Sequence, residues 1–239
     1  MINKKILVDI IEKYYLNGLT ESVKFSISNK TLNIPFTTTN KDVVGAITTT
    51  IDLADAEFGI FETSPFLKLL NILDKDIQIE YQETQKIIEK LLIEDNQYKL
   101  SFSLADTYLI PSAPKAIDVP YQLVYQMESD FITRFVECKK ALGSDIRTFV
   151  LDTHADGKTE FILGDPSGYA NKIEFSINAQ LDGFPFSPMI FPSDVMKEIL
   201  VANKHFDSAT LKVNEGGLIN MCFEENGISS SYYIMASQN

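Results

Sequence analysis

Helical segments recur at regular intervals along this chain, and this recurrence constrains the fold more than any other feature. Apolar residues appear at helical spacing in four segments that begin near positions 3, 64, 128 and 193, so successive starts lie 61 to 65 residues apart. The segments between them alternate apolar and polar residues, as β-strands do. Each half of the chain therefore predicts a helix, a group of strands, a second helix and a closing group of strands. The sequence predicts an α+β protein of two similar domains, each with two amphipathic helices backed by antiparallel β-sheet.

Capping residues and apolar stripes define the helices as 3–17, 64–75, 128–142 and 193–204. Asn3 is the expected N-cap of the first helix, Ser64 with Pro65 opens the second, and Gly143 follows the third. The stripes expected to face the cores are Ile6, Leu7, Ile10, Ile11 and Tyr14; Phe66, Leu67, Leu70 and Leu73; Phe131, Ile132, Phe135, Val136 and Leu142; and Val195, Met196, Ile199 and Leu200.

A proline-bearing stretch separates the two halves. Residues 111–120 hold three prolines, which is incompatible with a helix or a central strand and favours an extended connector. The predicted domains are therefore 1–110 and 121–239. A chain of 239 residues can supply two modest hydrophobic cores.

Positive charge is concentrated in the predicted helices. The formal net charge of −12 excludes a uniformly basic nucleic-acid-binding protein. Ten of the 21 basic residues nevertheless fall in the four helices, and the strand regions are acidic. These ten are Lys4, Lys5, Lys13, Lys68, Lys75, Arg134, Lys139, Lys140, Lys197 and Lys204. Such a molecule has a preferred side for a polyanion. The alternative is that these lysines only keep the helix faces soluble.

The sequence predicts a soluble intracellular protein. No run of about 18 apolar residues is present, and the N-terminal segment lacks the features of a signal peptide. Cys138 and Cys222 look like lone thiols, which suits a reducing cytosol.

Catalytic and metal-binding patterns are missing from the sequence, which predicts no enzymatic activity, no metal and no cofactor. His154 and His205 lack the ligand spacing of a zinc site. Asp145, Asp152, Asp156 and Asp165 cluster in sequence, but they lie at turns and strand ends, where Asp is common. A carboxylate–metal enzyme stays open as an alternative.

Three stretches carry a resemblance to a known family. They are FITRFVECKKAL at 131–142, followed by Asp145-Ile146-Arg147; FLKLLNIL at 66–73; and SYYIMA at 231–236. With the duplicated domains, the connector and the basic helices, they resemble the DNA sliding clamps, above all the clamp of T-even-type bacteriophages and more distantly the proliferating-cell-nuclear-antigen type.

The resemblance implies a homotrimeric ring of six domains, with twelve helices lining a hole around duplex DNA. Such a ring tethers a replicative DNA polymerase as a processivity factor and is opened by an ATP-driven clamp loader, here in the cytoplasm of an infected bacterial host. The ten helix residues above are then expected to face DNA. Lysine makes up 19 of the 21 basic residues, and its single flexible charge suits loose phosphate contacts that permit sliding.

The resemblance also implies a subunit interface and a pocket for partner peptides. Edge strands near 98–104 and 172–179 are expected to pair between copies through Tyr98, Leu100, Phe102, Ile173, Phe175 and Ile177. The alternative is that either strand is internal to its own sheet. The expected pocket residues are Leu109, Ile110, Ile117, Val119, Tyr121, Ile234 and Met235. Their alternative role is core packing or joining of the domains.

A different class of protein fits the same composition: a β-rich structural or assembly protein of a phage without a DNA role. It predicts basic residues scattered relative to the helix faces. Lys68 and Lys75, and likewise Lys197 and Lys204, are seven residues apart and opposite the apolar stripes, which favours the clamp.

Overall fold

A computed structural model describes residues 1–114, 117–165 and 171–237. The chain divides into two compact units, Met1–Pro114 with Gly227–Ser230, and Lys115–Asn226 with Ser231–Asn239. The first boundary falls in the stretch 111–120, of which Lys115 and Ala116 lie outside the described residues. The sequence prediction placed Gly227–Ser230 in the second domain, whereas they group with the first unit.

The four predicted helices are all present. They are α1 (Lys4–Tyr15), α2 (Thr63–Asn71), α3 (Ser129–Leu142) and α4 (Ser193–Ala202). Asn3 caps α1 as expected, because its side-chain oxygen accepts the N–H of Lys5 at 2.9 Å. Gly143 follows α3 with a φ of 81°, a backbone conformation that glycine adopts without strain.

The first unit contains two four-stranded antiparallel arrays. Its strands are β1 (Ile2–Asn3), β2 (Val23–Ser28), β3 (Thr31–Thr37), β4 (Val43–Thr50), β5 (Ala56–Ile60), β6 (Asp76–Thr84), β7 (Ile87–Glu94) and β8 (Lys99–Ser103). They are ordered β5-β2-β3-β4 and β1-β6-β7-β8. Helix α1 packs against α2 and β4.

The second unit repeats this plan. Its strands are β9 (Leu123–Gln126), β10 (Thr148–Thr153), β11 (Lys158–Gly164), β12 (Lys172–Asn178), β13 (Gln180–Leu181), β14 (Met189–Pro192), β15 (Ser208–Asn214), β16 (Leu218–Glu225) and β17 (Ile228–Met235). They are ordered β14-β10-β11-β12 and β13-β9-β15-β16-β17. Strand β12 is the counterpart of β4, and β17 is the counterpart of β8. The predicted α+β class with two similar domains is confirmed.

Counterpart strands differ in what covers their outer edges. In the first unit, Gly227–Ser230 lie beside β4, and the Thr49 hydroxyl donates to the Gly227 carbonyl at 3.0 Å. Among the described residues, β12 and β8 have no strand on their outer sides. Both are therefore edge strands, which excludes the alternative that they are internal to their sheets.

The cores lie between the helices and the sheets. In the second unit, Phe131 and Phe135 of α3 pack onto the sheet, and Phe135 meets Phe149 edge-on with ring centroids 5.2 Å apart. Phe161 and Phe175 stack beside them at 5.3 Å. These aromatic contacts fix α3 on β11 and β12.

Some details of the helix prediction are wrong, since α1, α2 and α4 end at Tyr15, Asn71 and Ala202 rather than at 17, 75 and 204. Ile6 is exposed, because Leu7, Ile10, Ile11 and Tyr14 already form the buried stripe and Ile6 lies at its margin. Helix α2 begins at Thr63 rather than after a Ser64 cap, since a residue distant in sequence performs the capping. The Glu21 carboxylate accepts the N–H of Ser64 at 3.0 Å, and the Glu21 carbonyl accepts the N–H of Thr63 at 3.1 Å.

Candidate nucleic-acid interface

Five of the ten predicted DNA-facing cations are exposed. They are Lys5, Lys68, Lys75, Lys140 and Lys204. Within the part of the chain that the structure describes, none of the five has a carboxylate within 4 Å. Lys75 and Lys204 lie just beyond the C-terminal ends of α2 and α4. These ammonium groups are available to phosphates without first breaking an ion pair.

Lys4 and Lys197 are only partly available. The Lys4 ammonium donates to the Leu73 carbonyl, beyond the C-terminal end of α2. Lys197 is half-buried and pairs with Glu198 at 2.7 Å. Each would contact a phosphate only by sharing or releasing its present partner.

The prediction that Lys13 and Lys139 face DNA is wrong, because both side chains are buried, with 2% and 4% of their surface exposed. Lys139 Nζ lies 2.9 Å from Asp194 Oδ1 and donates to the Gly143 carbonyl at 3.2 Å. A buried ammonium held in this way joins α3 to α4 and is shielded from solvent. Helical periodicity could not reveal this, because Asp194 belongs to another helix.

Arg134 also departs from its predicted role. Its guanidinium lies over the Phe175 ring, with Cζ 5.4 Å from the ring centroid, and pairs with Asp130 at 3.1 Å. Arg134 Nη1 donates to the Ser176 carbonyl at 3.3 Å. The side chain is thus directed at edge strand β12 rather than outward from the helix.

The residues predicted at the subunit interface lie on or next to the two edge strands. Leu100 and Phe102 of β8 are half-buried, and Tyr98, just before β8, is exposed. In β12, Ile173 and Phe175 are half-buried and Ile177 is buried. Two half-exposed apolar side chains on each edge strand are suited to further burial.

The predicted pocket residues separate into accessible and inaccessible groups. Leu109 and Met235 are exposed, at 67% and 53%. Ile117, Val119 and Tyr121 are half-buried. Ile110 and Ile234 are buried, so a role in direct peptide contact is wrong for these two, and their alternative role of core packing holds.

Tyr121 lies at the end of the predicted connector, in an apolar setting. Burial raises the pKa of Tyr121 to about 12. Lys212 Nζ lies 5.8 Å from the centroid of its ring. Its hydroxyl is buried and has no hydrogen-bond partner among the described residues. A bound polar group would satisfy this hydroxyl.

An open groove of about 440 Å³ in the second unit was not predicted. Phe186, Ser187, Pro188, Met189, Glu215, Gly216 and Gly217 line it. The C-terminal tail lies beside it, because the N–H of Ala236 donates to the Gly217 carbonyl at 2.7 Å and that of Ser237 to the Ile190 carbonyl at 2.8 Å. In the sequence, Pro188 and the pair Gly216-Gly217 predict only turns. The apolar side chains around Pro188 were the signal that could have indicated this groove.

Residues capable of metal or acid–base chemistry do not converge. In the described ranges, no group of three or more His, Cys, Asp or Glu side chains is placed to hold a metal ion. The Asp156 carboxylate instead accepts the N–H of Lys158 at 3.0 Å in a tight turn. Glu160 accepts a hydrogen bond from the Lys158 ammonium, which lowers the pKa of Glu160. In the same ranges, the helices are too short or too polar to cross a bilayer.

Solved structures with the same fold are similar to this chain over its whole length. The proliferating cellular nuclear antigen of Entamoeba histolytica matches with a TM-score of 0.76 and 12% identity, covering 99% of this chain and 96% of that one. The A. fulgidus PCNA, solved with the C-terminal region of FEN-1 bound, matches with a TM-score of 0.77 and 12% identity, covering 100% and 97%. No protein-family model and no curated protein matches the sequence. The chain has the fold of the PCNA-like sliding clamps, as the resemblance predicted.

Proposed function

We propose that this chain is a DNA polymerase processivity factor that assembles into a homotrimeric ring around duplex DNA. It binds DNA without reading sequence and tethers a replicative polymerase. An ATP-driven clamp loader opens the ring, and the site of action is the cytoplasm of a phage-infected bacterium. The chain performs no catalysis of its own and needs no cofactor.

The observation that carries this proposal is the unequal covering of counterpart strands. Gly227–Ser230 cover the outer edge of β4, whereas the edge of β12, its counterpart, is open among the described residues. Strand β17, the counterpart of β8, supplies the covering segment. By this internal analogy, β8 of a second copy is the strand that fits β12.

The backbone groups of both strands are oriented for such pairing. The N–H of Ala179 donates to the Gly157 carbonyl, so alternate residues of β12 face β11 and those between them, Glu174 and Ser176 included, face outward. In β8, the N–H of Leu104 donates to the Glu89 carbonyl, so alternate residues of β8 bond to β7. The backbone groups of Ser101 and Ser103 therefore face outward. Pairing would satisfy these groups and bury Phe102 and Phe175.

DNA binding is assigned to the five exposed lysines, of which three lie in the helices (Lys5, Lys68 and Lys140) and two just beyond a helix C-terminal end (Lys75 and Lys204). Flexible single charges hold a phosphate backbone weakly and without fixed geometry, which a protein that slides on DNA requires. In the second unit, partner binding is assigned to the groove beside the C-terminal tail and to Met235 and Tyr121. The apolar side chains Phe186 and Met189 in the groove, and the Tyr121 hydroxyl, which has no partner among the described residues, favour a peptide with both apolar and polar groups. Leu109, exposed in the first unit, stays a predicted pocket residue.

The first test is the native mass, measured by light scattering on a size-exclusion column over a range of concentrations. We expect about 81 kDa, three times the chain mass of 26.9 kDa. Ser101→Pro removes an outward N–H of β8 without removing a bond to β7, and should reduce the mass to that of one chain. Ser101→Ala keeps this N–H and should leave the native mass unchanged. A single-chain mass at every concentration for the unaltered protein would refute the ring.

The second test addresses encirclement. Cysteines introduced at Ser101 and Ser176 should cross-link neighbouring copies when oxidised on a nicked circular plasmid. A covalently closed ring should stay on the circle in high salt, where phosphate contacts are screened, and leave when the plasmid is linearised. Equal retention on circular and linear DNA would contradict encirclement.

A further inference from the structure

Arg134 occupies the open edge of β12, where the proposed function places a second copy of the chain. The Ser176 carbonyl points away from β11, because the residues of β12 that bond to β11 are those on either side of it. This carbonyl is thus one of the acceptors that an incoming strand needs. Arg134 Nη1 already donates to it at 3.3 Å.

Three contacts hold the guanidinium in this place. The first is the bond to Ser176, and the second is the ion pair with Asp130, at 3.1 Å. The third is the face of Phe175, with Arg134 Cζ 5.4 Å from the centroid of its ring. Phe175 is itself half-buried on the edge strand, so Arg134 covers both a backbone acceptor and an apolar side chain that pairing would use.

This placement is easily reversed. The Ser176 bond, at 3.3 Å, lies beyond the usual range for N–H···O hydrogen bonds. Arg134 Nε is buried and has no acceptor among the described residues, a cost that disappears if the side chain turns into solvent. The ion pair with Asp130 is partly exposed and adds little.

We propose that Arg134 is a removable cover of the β12 edge, which competes with β8 of a second copy for the Ser176 carbonyl. In the separate chain it protects the edge from indiscriminate strand pairing, as a charged side chain on an edge strand does. On assembly the guanidinium leaves Ser176, the carbonyl accepts an N–H from β8, and Phe175 becomes available to its new neighbour. This inference rests on the proposed pairing of β8 with β12.

Arg134→Met tests the competition, because Met keeps a long apolar side chain over Phe175 and removes every donor. Subunit exchange between donor-labelled and acceptor-labelled full-length protein, followed by energy transfer without DNA, gives the dissociation constant. We expect Arg134→Met to lower it about tenfold, the effect of removing one competing hydrogen bond to a charged group. Arg147→Met is the matched control, since Arg147 is the only other arginine and is exposed, and it should leave the constant unchanged.

Ser176→Pro separates failure of this inference from failure of the proposed function. Proline there removes an outward N–H and blocks pairing along β12 without removing a bond to β11. If Ser176→Pro abolishes assembly and Arg134→Met leaves it unchanged or weaker, the ring stands and the cover is refuted. If Ser176→Pro leaves assembly intact, the copies meet elsewhere and both proposals fail.

Discussion

Tyr14 and Lys139 occupy the same place in the two units, since each is the eleventh residue of its helix and each reaches the first turn of the neighbouring helix. The Tyr14 hydroxyl lies 3.3 Å from Thr63 Oγ1, and Lys139 Nζ lies 2.9 Å from Asp194 Oδ1. Burial raises the pKa of Tyr14 well above its usual range, so this link is a neutral hydrogen bond. The duplicated fold keeps one helix-to-helix link and builds it with different chemistry in each unit.

Lys139→Met should destabilise the protein, whereas Lys140→Met should not. Lys139 is buried and joins Asp194 and the Gly143 carbonyl, so its loss should lower the free energy of unfolding by about 2 kcal/mol. Lys140 is exposed, and its replacement should change stability by less than about 0.5 kcal/mol. Urea unfolding followed by circular dichroism measures both. Equal midpoints would contradict the structural role of Lys139.

Tyr14→Phe should lower stability by about 1 kcal/mol, the usual net value of one hydrogen bond. The effect is small because the Thr63 hydroxyl keeps its bond to the Glu21 carbonyl at 2.7 Å. Thr63→Val removes both bonds and should cost more, about 2 kcal/mol. A double-mutant cycle gives the coupling, and additive effects would show that the two hydroxyls do not interact.

Reversing two exposed helix charges, Lys68→Glu with Lys140→Glu, should weaken DNA binding without changing the unfolding midpoint. Each lost phosphate contact should lower the slope of log affinity against log salt by about 1. Lys41→Glu with Lys86→Glu makes the same change in net charge at exposed hairpin turns and is the control. Fluorescence anisotropy with duplex DNA measures both. An equal loss of DNA affinity in the two double variants would indicate a non-specific effect of net charge.

Asp95 should make the turn before β8 sensitive to acid. Its carboxylate accepts the N–H groups of Asp74 at 2.5 Å, Tyr98 at 2.6 Å and Gln97 at 2.7 Å, and these bonds lower the pKa of Asp95. The stabilisation is complete above the unfolded-state pKa of about 3.9 and is lost as the pH falls through the lower folded value. The amide shift of Tyr98 should be constant from neutral pH to about pH 5 and should change only in stronger acid.

Asp95→Ala should remove that acid step from the Tyr98 amide, and Asp145→Ala, at another exposed carboxylate, should retain it. NMR titration of the two variants shows whether the acid step of the Tyr98 amide belongs to Asp95. A step that survives in Asp95→Ala would assign it to another group.

Gly59→Ala should loosen the turn that carries Leu109. A Cβ at this position would lie 2.9 Å from both the Ala105 carbonyl oxygen and Ile110 Cγ1, so the segment from Ala105 to Ile110 would have to move. We expect a loss of about 1 to 3 kcal/mol. Hydrogen exchange should rise at the Ala105 amide, which donates to the Gly59 carbonyl at 2.9 Å. Unchanged protection there would show that the turn adapts without cost.

Periodicity predicted the parts of the fold that depend on local pattern. The stripe of Val195, Met196, Ile199 and Leu200 is buried throughout, and the N-cap at Asn3 and the glycine at 143 lie where expected. The resemblance to the sliding clamps also identified β8 and β12 by their positions along the chain, and both are edge strands among the described residues.

The sequence could not predict those parts of the fold and of the candidate site that depend on contacts between residues distant in sequence. Lys139 could not be distinguished from Lys140 until Asp194 was placed beside it, and the start of α2 depends on Glu21. The groove forms where Pro188 and Gly217 come together, although each alone indicates only a turn. Side-chain partners, more than secondary structure, decide which of the predicted site residues remain accessible.

The place of Gly227–Ser230 beside β4 has a consequence for how the protein is made. Residues 1–114 emerge from the ribosome long before these four. The first unit therefore stays incomplete while the whole of 115–226 is synthesised. During that interval the β4 edge is bare and open to pairing with another nascent chain. Completion of the first unit is therefore coupled to synthesis of the second. A fragment ending at Pro114 would keep the β4 edge unpaired permanently.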